Sequence, residues 1–237
     1  DASGNPSGQS NLLSFLYDAT APKPSFSSAV SDLTNESEVE VTVSFSEIIE
    51  SISVDDFLVT NADVTDFSGD FGAYTLKLAP VQDGAVEIKI DELTVTDEAG
   101  NGNTAASFSW EADFVEPNSY AVEILTDALS NLNETAVSFS INDGEAGATF
   151  EYQFSSSNGT EVVAGTGSMD ATSATVSGVD VSGLSDGEIT LIVTLTDNAG
   201  NEGEPVSDKI TKDTEVNIPQ GFSPNGDGID DNWVIPG

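Results

Sequence analysis

A short acidic loop occurs three times in this sequence at nearly constant distance. Its copies begin at Asp1, Asp97 and Asp197, which lie 96 and then 100 residues apart, and each copy ends Gly-Asn. Self-similarity at a fixed period indicates a chain of like domains, and it constrains the architecture before any single motif is considered. A further aspartate lies 16 or 17 residues after the first residue of each copy, at Asp18, Asp113 and Asp213.

The repeat divides the 237 residues into four predicted segments. Residues 1–20 are expected to be the C-terminal strand of a preceding repeat, and residues 216–237 differ in composition from the rest. Two complete repeats lie between them, at 21–115 and 116–215, and each is long enough to bury its own core.

Both complete repeats contain short stretches in which apolar and polar residues alternate. Examples are Val39 to Phe45 and Val86 to Ile90 in the first repeat, and Val137 to Ile141 and Ile189 to Leu195 in the second. A period of two is typical of a strand with one buried face, and Gly- and Asp-containing turn signals separate the stretches. No segment has a convincing helical period. The pattern therefore predicts an all-β fold of two-sheet antiparallel sandwiches.

The charge of the chain excludes several classes of function. Asp and Glu total 42 against five Lys plus Arg, and the net charge is -37. Such a chain cannot build the basic surface that nucleic acid or an anionic membrane requires. It has no Cys and no His, so disulfides, zinc sites and imidazole-based catalysis are excluded. No direct membrane insertion is expected either, because no apolar run reaches the roughly 18 residues of a membrane helix. What remains is binding of a hard cation such as calcium through oxygen ligands.

The loop sequences resemble a known type of repeat. Residues 184–189 (LSDGEI) leading to 193–201 (VTLTDNAGN) look like the bacterial immunoglobulin-like repeats of large surface adhesins. Residues 43–47 (VSFSE) and 94–101 (TVTDEAGN) resemble a sister family of such repeats. The resemblance implies tandem immunoglobulin-like β-sandwiches arranged end to end, without enzymatic activity.

The C-terminal segment carries a second resemblance. Residues 218–233 (IPQGFSPNGDGIDDNW) resemble the start of the gliding-motility-associated C-terminal domain, the type B sorting signal of type IX secretion. That signal is longer than the segment, so the sequence is expected to stop inside it. Within the segment, Ser223, Asn225, Asp227 and Asp231 match positions 1, 3, 5 and 9 of a calcium loop, with the Ile229 carbonyl at position 7. Position 1 is not Asp and position 12 is not Glu, so a glycine-rich turn remains the alternative.

The implied topology also predicts metal sites at the joints between repeats. In an immunoglobulin-like domain, the loop between the last two strands lies at the end where the chain enters. The 97–101 and 197–201 loops should therefore lie beside the aspartate that ends the preceding repeat. The predicted calcium ligands are Asp18, Glu47, Asp97 and Asn101 at the first joint, and Asp113, Glu116, Asp143, Asp197 and Asn201 at the second. The alternative is that Asp-x-Ala-Gly-Asn is only a turn.

Together these observations predict a stalk segment of a secreted cell-surface adhesin of the gliding type, with calcium-stiffened joints. The expected partner is the outer-membrane type IX secretion and attachment machinery, bound through the C-terminal segment. A different class of function, accessory polysaccharide-binding modules of a secreted enzyme, is the alternative. The domains encoded upstream would discriminate the two.

Overall fold

The computed structural model of this protein describes residues 3–4, 17–70 and 72–215. The chain divides into two units, residues 1–115 and 116–237. Each unit is a β-sandwich of two facing sheets, so the predicted all-β fold class is confirmed. The strand predicted within 1–20 lies largely outside the described residues. The described part of the chain contains no helix long and apolar enough to cross a membrane.

The described residues of the first unit form eight strands and one 3₁₀ turn at Val54–Asp56. One sheet has the order β1-β3-β6-β5 and the other has the order β2-β8-β7-β4. The strands are β1 Pro24–Ser27, β2 Leu33–Thr34, β3 Val39–Phe45, β4 Leu58–Thr60, β5 Ala62–Asp70, β6 Ala73–Pro80, β7 Gly84–Ile90 and β8 Ala106–Ala112. All pairs among these strands are antiparallel except β2 with β8.

The core of the first unit follows directly from the alternation in its sequence. Val41 and Val43 from β3 face inward with Leu76 and Leu78 from β6, and all four are fully buried. Trp110 of β8 packs in the same cluster. Each large apolar side chain removed from water contributes about 1.5–3 kcal/mol. The polar residues between them are left on the outer faces and in the loops.

Within residues 116–215, the second unit forms seven strands in two sheets, with the orders β13-β10-β9 and β12-β11-β14-β15. The strands are β9 Ala121–Ile124, β10 Val137–Asn142, β11 Thr149–Ser156, β12 Val162–Ser168, β13 Ala174–Val179, β14 Gly187–Thr196 and β15 Val206–Lys212. Phe139 and Phe154 meet edge to face in the core, with ring centroids 5.8 Å apart. All the described strand pairs of this unit are antiparallel.

One strand ends in a sequence that is typical of a turn. The Ser68-Gly69-Asp70 stretch resembles a turn, yet it is the end of β5 and pairs with β6. Gly69 adopts φ 128° there, and a Cβ atom on it would lie 2.4 Å from the Ala73 carbonyl oxygen. The backbone of β6 therefore passes too close to β5 for any side chain at this position.

The last strand, β15, ends in a buried lysine. Lys212 is 3% exposed, and its ammonium donates to the carbonyls of Val181 (2.9 Å), Ser182 (3.2 Å) and Leu184 (2.7 Å). Its fourth partner is the Glu134 carboxylate at 2.8 Å. The cation thus joins three backbone oxygens and one acid.

We predict that Lys212→Ala destabilises the second unit by about 3–5 kcal/mol, the usual effect of removing one partner of a buried ion pair. Lys209→Ala is the matched control on the same strand. Lys209 pairs with Glu188 at 2.6 Å, but both side chains are more than half exposed, so its loss changes stability by about 0–1 kcal/mol. Calorimetry of the full chain measures both changes. Equal effects of the two substitutions would contradict the conclusion that the buried ion pair of Lys212 stabilises the second unit.

Candidate metal centre

The 97–101 loop closes on its own first residue. The Asp97 N–H donates to the Asn101 carbonyl (3.1 Å), and the Gly100 N–H donates to the Asp97 carbonyl (3.1 Å). In return, the Asp97 carboxylate accepts the backbone N–H and the side-chain amide of Asn101, each at 2.8 Å. Gly100 supplies the left-handed backbone, with φ 85°, that this closure requires.

These bonds allow a carboxylate to be buried. Asp97 is only 4% exposed. The side-chain hydrogen bond from Asn101 is the main reason that the pKa of Asp97 lies below its usual value. The N–H groups of Asn101, Ala99 and Gly100 lower this pKa further, while burial opposes them. The loop therefore holds Asp97 as a fixed anion.

Three carboxylates from distant parts of the first unit meet beside this loop. Asp18 lies in the stretch before β1, Glu47 follows β3, and Asp97 lies between β7 and β8. One oxygen from each lies within 4.8 Å of the others. We call Asp18, Glu47 and Asp97 the acid cluster. The Asn101 amide links the loop to the entering chain, since it donates to the Asp18 carbonyl at 3.4 Å.

Within the acid cluster, Glu47 has the least favourable environment for a charged carboxylate. Its Oε1 atom is buried and has no hydrogen-bond partner. Burial raises the pKa of the Glu47 carboxyl, and the charges of Asp18 and Asp97 raise it further. A buried acceptor without a donor, beside two like charges, lacks a positive group.

The described residues around the acid cluster supply no such group. The cavity at this position is lined by five acids, together with Ile48, Ile49 and Ala99. Those acids are Asp18, Glu47, Glu50, Asp97 and Glu98. No described cationic side chain lines the cavity. The donor set is entirely oxygen, which is the set that calcium prefers, so the residues present fit this ion.

The described part of the second unit repeats the loop but not the cluster. The Asn201 backbone N–H and side-chain amide donate to the Asp197 carboxylate at 2.8 Å each, and Asp197 is 7% exposed. Asp143 follows β10 in a left-handed conformation with φ 55°, and its side chain is exposed. Its loop reaches the 197–201 loop, because a Cβ atom on Gly147 would lie 2.6 Å from the Asn198 amide nitrogen.

Among the described residues, three acids come within 4.8 Å of one another only in the first unit. Glu116, Asp143 and Asp197 all belong to the second unit and do not form such a group there. Asp113 belongs to the first unit, where its carboxylate accepts the Val115 N–H at 3.0 Å. The predicted convergence of Asp113 with the second unit's acids stays a prediction.

The aspartates that recur after each loop share one local geometry. Asp18, Asp113 and Asp213 each accept the N–H two residues onward, at 2.9, 3.0 and 3.0 Å. The sequence repeat therefore has a structural counterpart at all three positions. The predicted C-terminal ligands, Ser223, Asn225, Asp227, Ile229 and Asp231, lie outside the described residues.

Sequence reasoning missed several residues around these loops. Glu50 and Glu98 line the cavity, but nothing distinguishes them in sequence from the many other acids. Asn103, which is 1% exposed, holds the backbone of the first loop. Comparison of the repeats conceals it, because the corresponding residue in the second repeat is Gly203.

The match to known families falls on the first unit. Residues 18–114 match the family model described as "Bacterial Ig-like domain", which confirms the predicted resemblance for this repeat. No curated protein matches the sequence.

Several solved structures are similar to the chain. A tetra-tandem repeat from the extending region of a large adhesion protein is 20% identical, with a TM-score of 0.39, over 81% of this chain and 50% of that one. The Yersinia pseudotuberculosis adhesin InvE is 13% identical, with a TM-score of 0.33, over 87% of this chain and 65% of that one. The fibronectin(III)-like modules of Clostridium thermocellum CbhA are 13% identical, with a TM-score of 0.39, over 81% and 94%. This chain thus spans half the length of the tandem-repeat structure. At these values the likenesses carry no argument about function.

The electrostatics of Glu47 lead to a test in a chelating buffer. We expect Glu47→Gln to raise the melting temperature of the first unit by a few degrees at neutral pH, because it removes an unpartnered charge beside two like charges. The folded-state pKa of Glu47 lies above its unfolded value, so the wild type loses stability as pH rises through that pKa. The variant lacks this loss, and the two proteins converge below the ordinary pKa of glutamate.

Calorimetry between about pH 3 and about pH 8 measures the difference. Glu50→Gln is the control, because Glu50 is an exposed acid that lines the same cavity. A wild type more stable than Glu47→Gln at neutral pH in chelator would contradict this account of the acid cluster.

Proposed function

We propose that this chain is a non-catalytic structural segment of a secreted, adhesive cell-surface protein, in which calcium stiffens the immunoglobulin-like units. The observation that carries the proposal is the acid cluster, with its buried, unpartnered Glu47 oxygen, at the entrance of a bacterial Ig-like sandwich. A cation there converts mutual repulsion into attraction. Two like charges about 4 Å apart otherwise repel by about 1 kcal/mol in water and about 4 kcal/mol at a surface-like effective dielectric of about 20.

The chemistry of the site favours calcium over other metals. The acid cluster offers only carboxylates, and calcium takes about 6–8 oxygen ligands in flexible geometry. Magnesium demands a tighter octahedron, and zinc favours the nitrogen and sulfur ligands that this chain cannot provide. An affinity of about 10⁻⁴–10⁻³ M is typical of calcium modules outside the cell.

The position of the ligands explains why binding would stiffen the chain. Asp18 belongs to the segment that enters the sandwich, whereas Glu47 and Asp97 belong to loops between its strands. Without a cation, the Asn101 amide is the described side chain that bonds to Asp18, and that bond is long, at 3.4 Å. A shared ion would fasten the entering segment to the sandwich.

The proposal extends to the second repeat through its matching loop. Asp197 and Asn201 reproduce the closed geometry of Asp97 and Asn101. We assign Asp113, Glu116 and Asp143 as its further ligands on the argument from topology. The resemblance of residues 218–233 supports a further element, a type IX sorting signal through which the outer-membrane machinery exports and attaches the protein.

Calcium should reverse the effect of Glu47→Gln. At calcium about 10–100 times above the dissociation constant, a single site stabilises the folded wild type by about 1.4–2.7 kcal/mol. The variant loses a ligand and gains less, so it becomes the less stable protein. Thermal melts in calcium and in chelator measure this reversal. Glu40→Gln, which changes an exposed acid outside the cavity, should respond to calcium as the wild type does. If calcium releases no heat on titration and shifts no melt, the calcium assignment is wrong.

Deletion of residues 216–237 tests the sorting assignment separately. We expect both sandwiches to fold in the shortened protein, because the described strands end at Lys212. Export and surface attachment in a host with type IX secretion should be lost. Circular dichroism of the purified protein is the control for folding. Normal secretion of the shortened protein would refute the assignment.

A further inference from the structure

The backbone on either side of the 97–101 loop and of the 197–201 loop has the same hydrogen bonds in both units. Asn103 N–H donates to the Val95 carbonyl (3.0 Å), and Gly203 N–H donates to the Leu195 carbonyl (2.9 Å). Isolated bridges also join Thr96 to Gly102 and Thr196 to Glu202. Each loop is therefore the tip of a small hairpin, and corresponding residues lie 100 positions apart.

Two backbone groups at the base of the hairpin, the Val95 N–H and the Thr104 carbonyl, need a hydrogen-bond partner. In the first unit, the side chain of Asn103 is that partner. Its Oδ1 atom accepts the Val95 N–H at 2.9 Å, and its amide donates to the Thr104 carbonyl at 2.8 Å. The same amide donates to the Asp91 carbonyl at 2.9 Å. Asn103 is 1% exposed, so water cannot replace these bonds.

In the second unit, Tyr120 is the hydrogen-bond partner of the two corresponding groups, the Leu195 N–H and the Glu204 carbonyl. Its hydroxyl accepts the Leu195 N–H at 3.3 Å and donates to the Glu204 carbonyl at 2.5 Å. Tyr120 comes from the start of the unit, 84 residues before Glu204, and it is 6% exposed. Burial is the main reason that the pKa of Tyr120 is raised, which keeps the phenol neutral and able to donate.

The two arrangements exclude each other. A Cβ atom on Gly203 would lie 2.5 Å from the Pro117 carbonyl oxygen and 3.1 Å from the Tyr120 ring. An asparagine at 203 therefore cannot coexist with Tyr120 in this position. One pair of backbone groups is satisfied by two unrelated side chains, which indicates that the backbone geometry itself is what matters.

We infer that Asn103 and Tyr120 are positioning residues that hold the 97–101 and 197–201 loops in ligand geometry before a cation binds. The inference rests on the proposed calcium function. Neither side chain belongs to the acid cluster. Each fixes the hairpin stem, so that the carboxylate of Asp97 or Asp197 is presented without further ordering of the loop. Groups that orient metal ligands typically change metal affinity by about 10–100-fold when removed.

The test follows the Gly100 and Asn101 amide signals of the ¹⁵N-labelled full chain as calcium chloride is added. Asn103→Ala should weaken the dissociation constant about tenfold. Asn61→Gly is the matched control, because the Asn61 amide also donates to two carbonyls of the first unit, Gln82 at 2.9 Å and Gly84 at 3.4 Å. Glycine keeps the positive φ of 59° at this position. The control should destabilise the unit and leave the calcium affinity unchanged.

Hydrogen exchange in chelator provides the second readout. Asn103→Ala should speed exchange of the Gly100 and Asn101 amides, and Tyr120→Phe should do the same at Gly200 and Asn201. Unchanged exchange at these amides, or an unchanged dissociation constant in a folded Asn103→Ala, would overturn the inference. If Asn103→Ala does not fold, exchange in Tyr120→Phe decides. If the wild type shows no calcium response, the proposed function fails, and the exchange data still decide whether these side chains order the loops.

Discussion

An acidic chain can fold as a sandwich only if its carboxylates stay out of the space between the two sheets. Here the alternation of apolar residues achieves that separation in strands such as β3 and β11, whose acids Glu40 and Glu151 are exposed. Among the described residues, the buried acids are Asp97 and Asp197. Both are tolerated because each loop wraps its own N–H groups around the carboxylate it carries. The candidate metal centre exists because of this exception.

The acid cluster depends on the same separation. Asp18 and Glu47 cannot enter the core, so they lie at its end, where they meet the one acid that its loop has fixed in place. The result is a local excess of negative charge that costs folding free energy. Under the proposed function, stability of the first unit and its response to calcium are two aspects of one arrangement.

The sequence predicted the strands whose inward positions are all apolar, such as β3, β7, β10 and β14. It did not indicate β15, because Asp208 and Lys212 occupy inward positions there. The Asp208 carboxylate accepts the Ile124 N–H at 2.8 Å, and Lys212 binds three carbonyls. A period-two pattern cannot reveal polar residues that are buried with dedicated partners.

The candidate site was predictable to a similar degree. The repeated loop and the aspartate after it identified Asp18 and Asp97, and topology added Glu47. The supporting residues Asn103 and Tyr120 were not predictable, since they occupy different positions in the two repeats and only their backbone partners correspond. Whether a carboxylate in the second unit finds further acids is likewise a matter of three-dimensional arrangement, which loop sequences alone do not specify.

The long sequence separations within each unit have a consequence for the order of folding. Asn101 bonds to Asp18 across 83 residues, and Tyr120 bonds to Glu204 across 84. Each unit thus joins its first residues to one of its last loops, and these contacts can form only after nearly the whole repeat has been synthesised. A nascent first unit that has reached β7 already contains Asp18 and Glu47 but lacks the loop that would hold them beside Asp97. Assembly of the acid cluster is therefore a late event in the synthesis of the first unit.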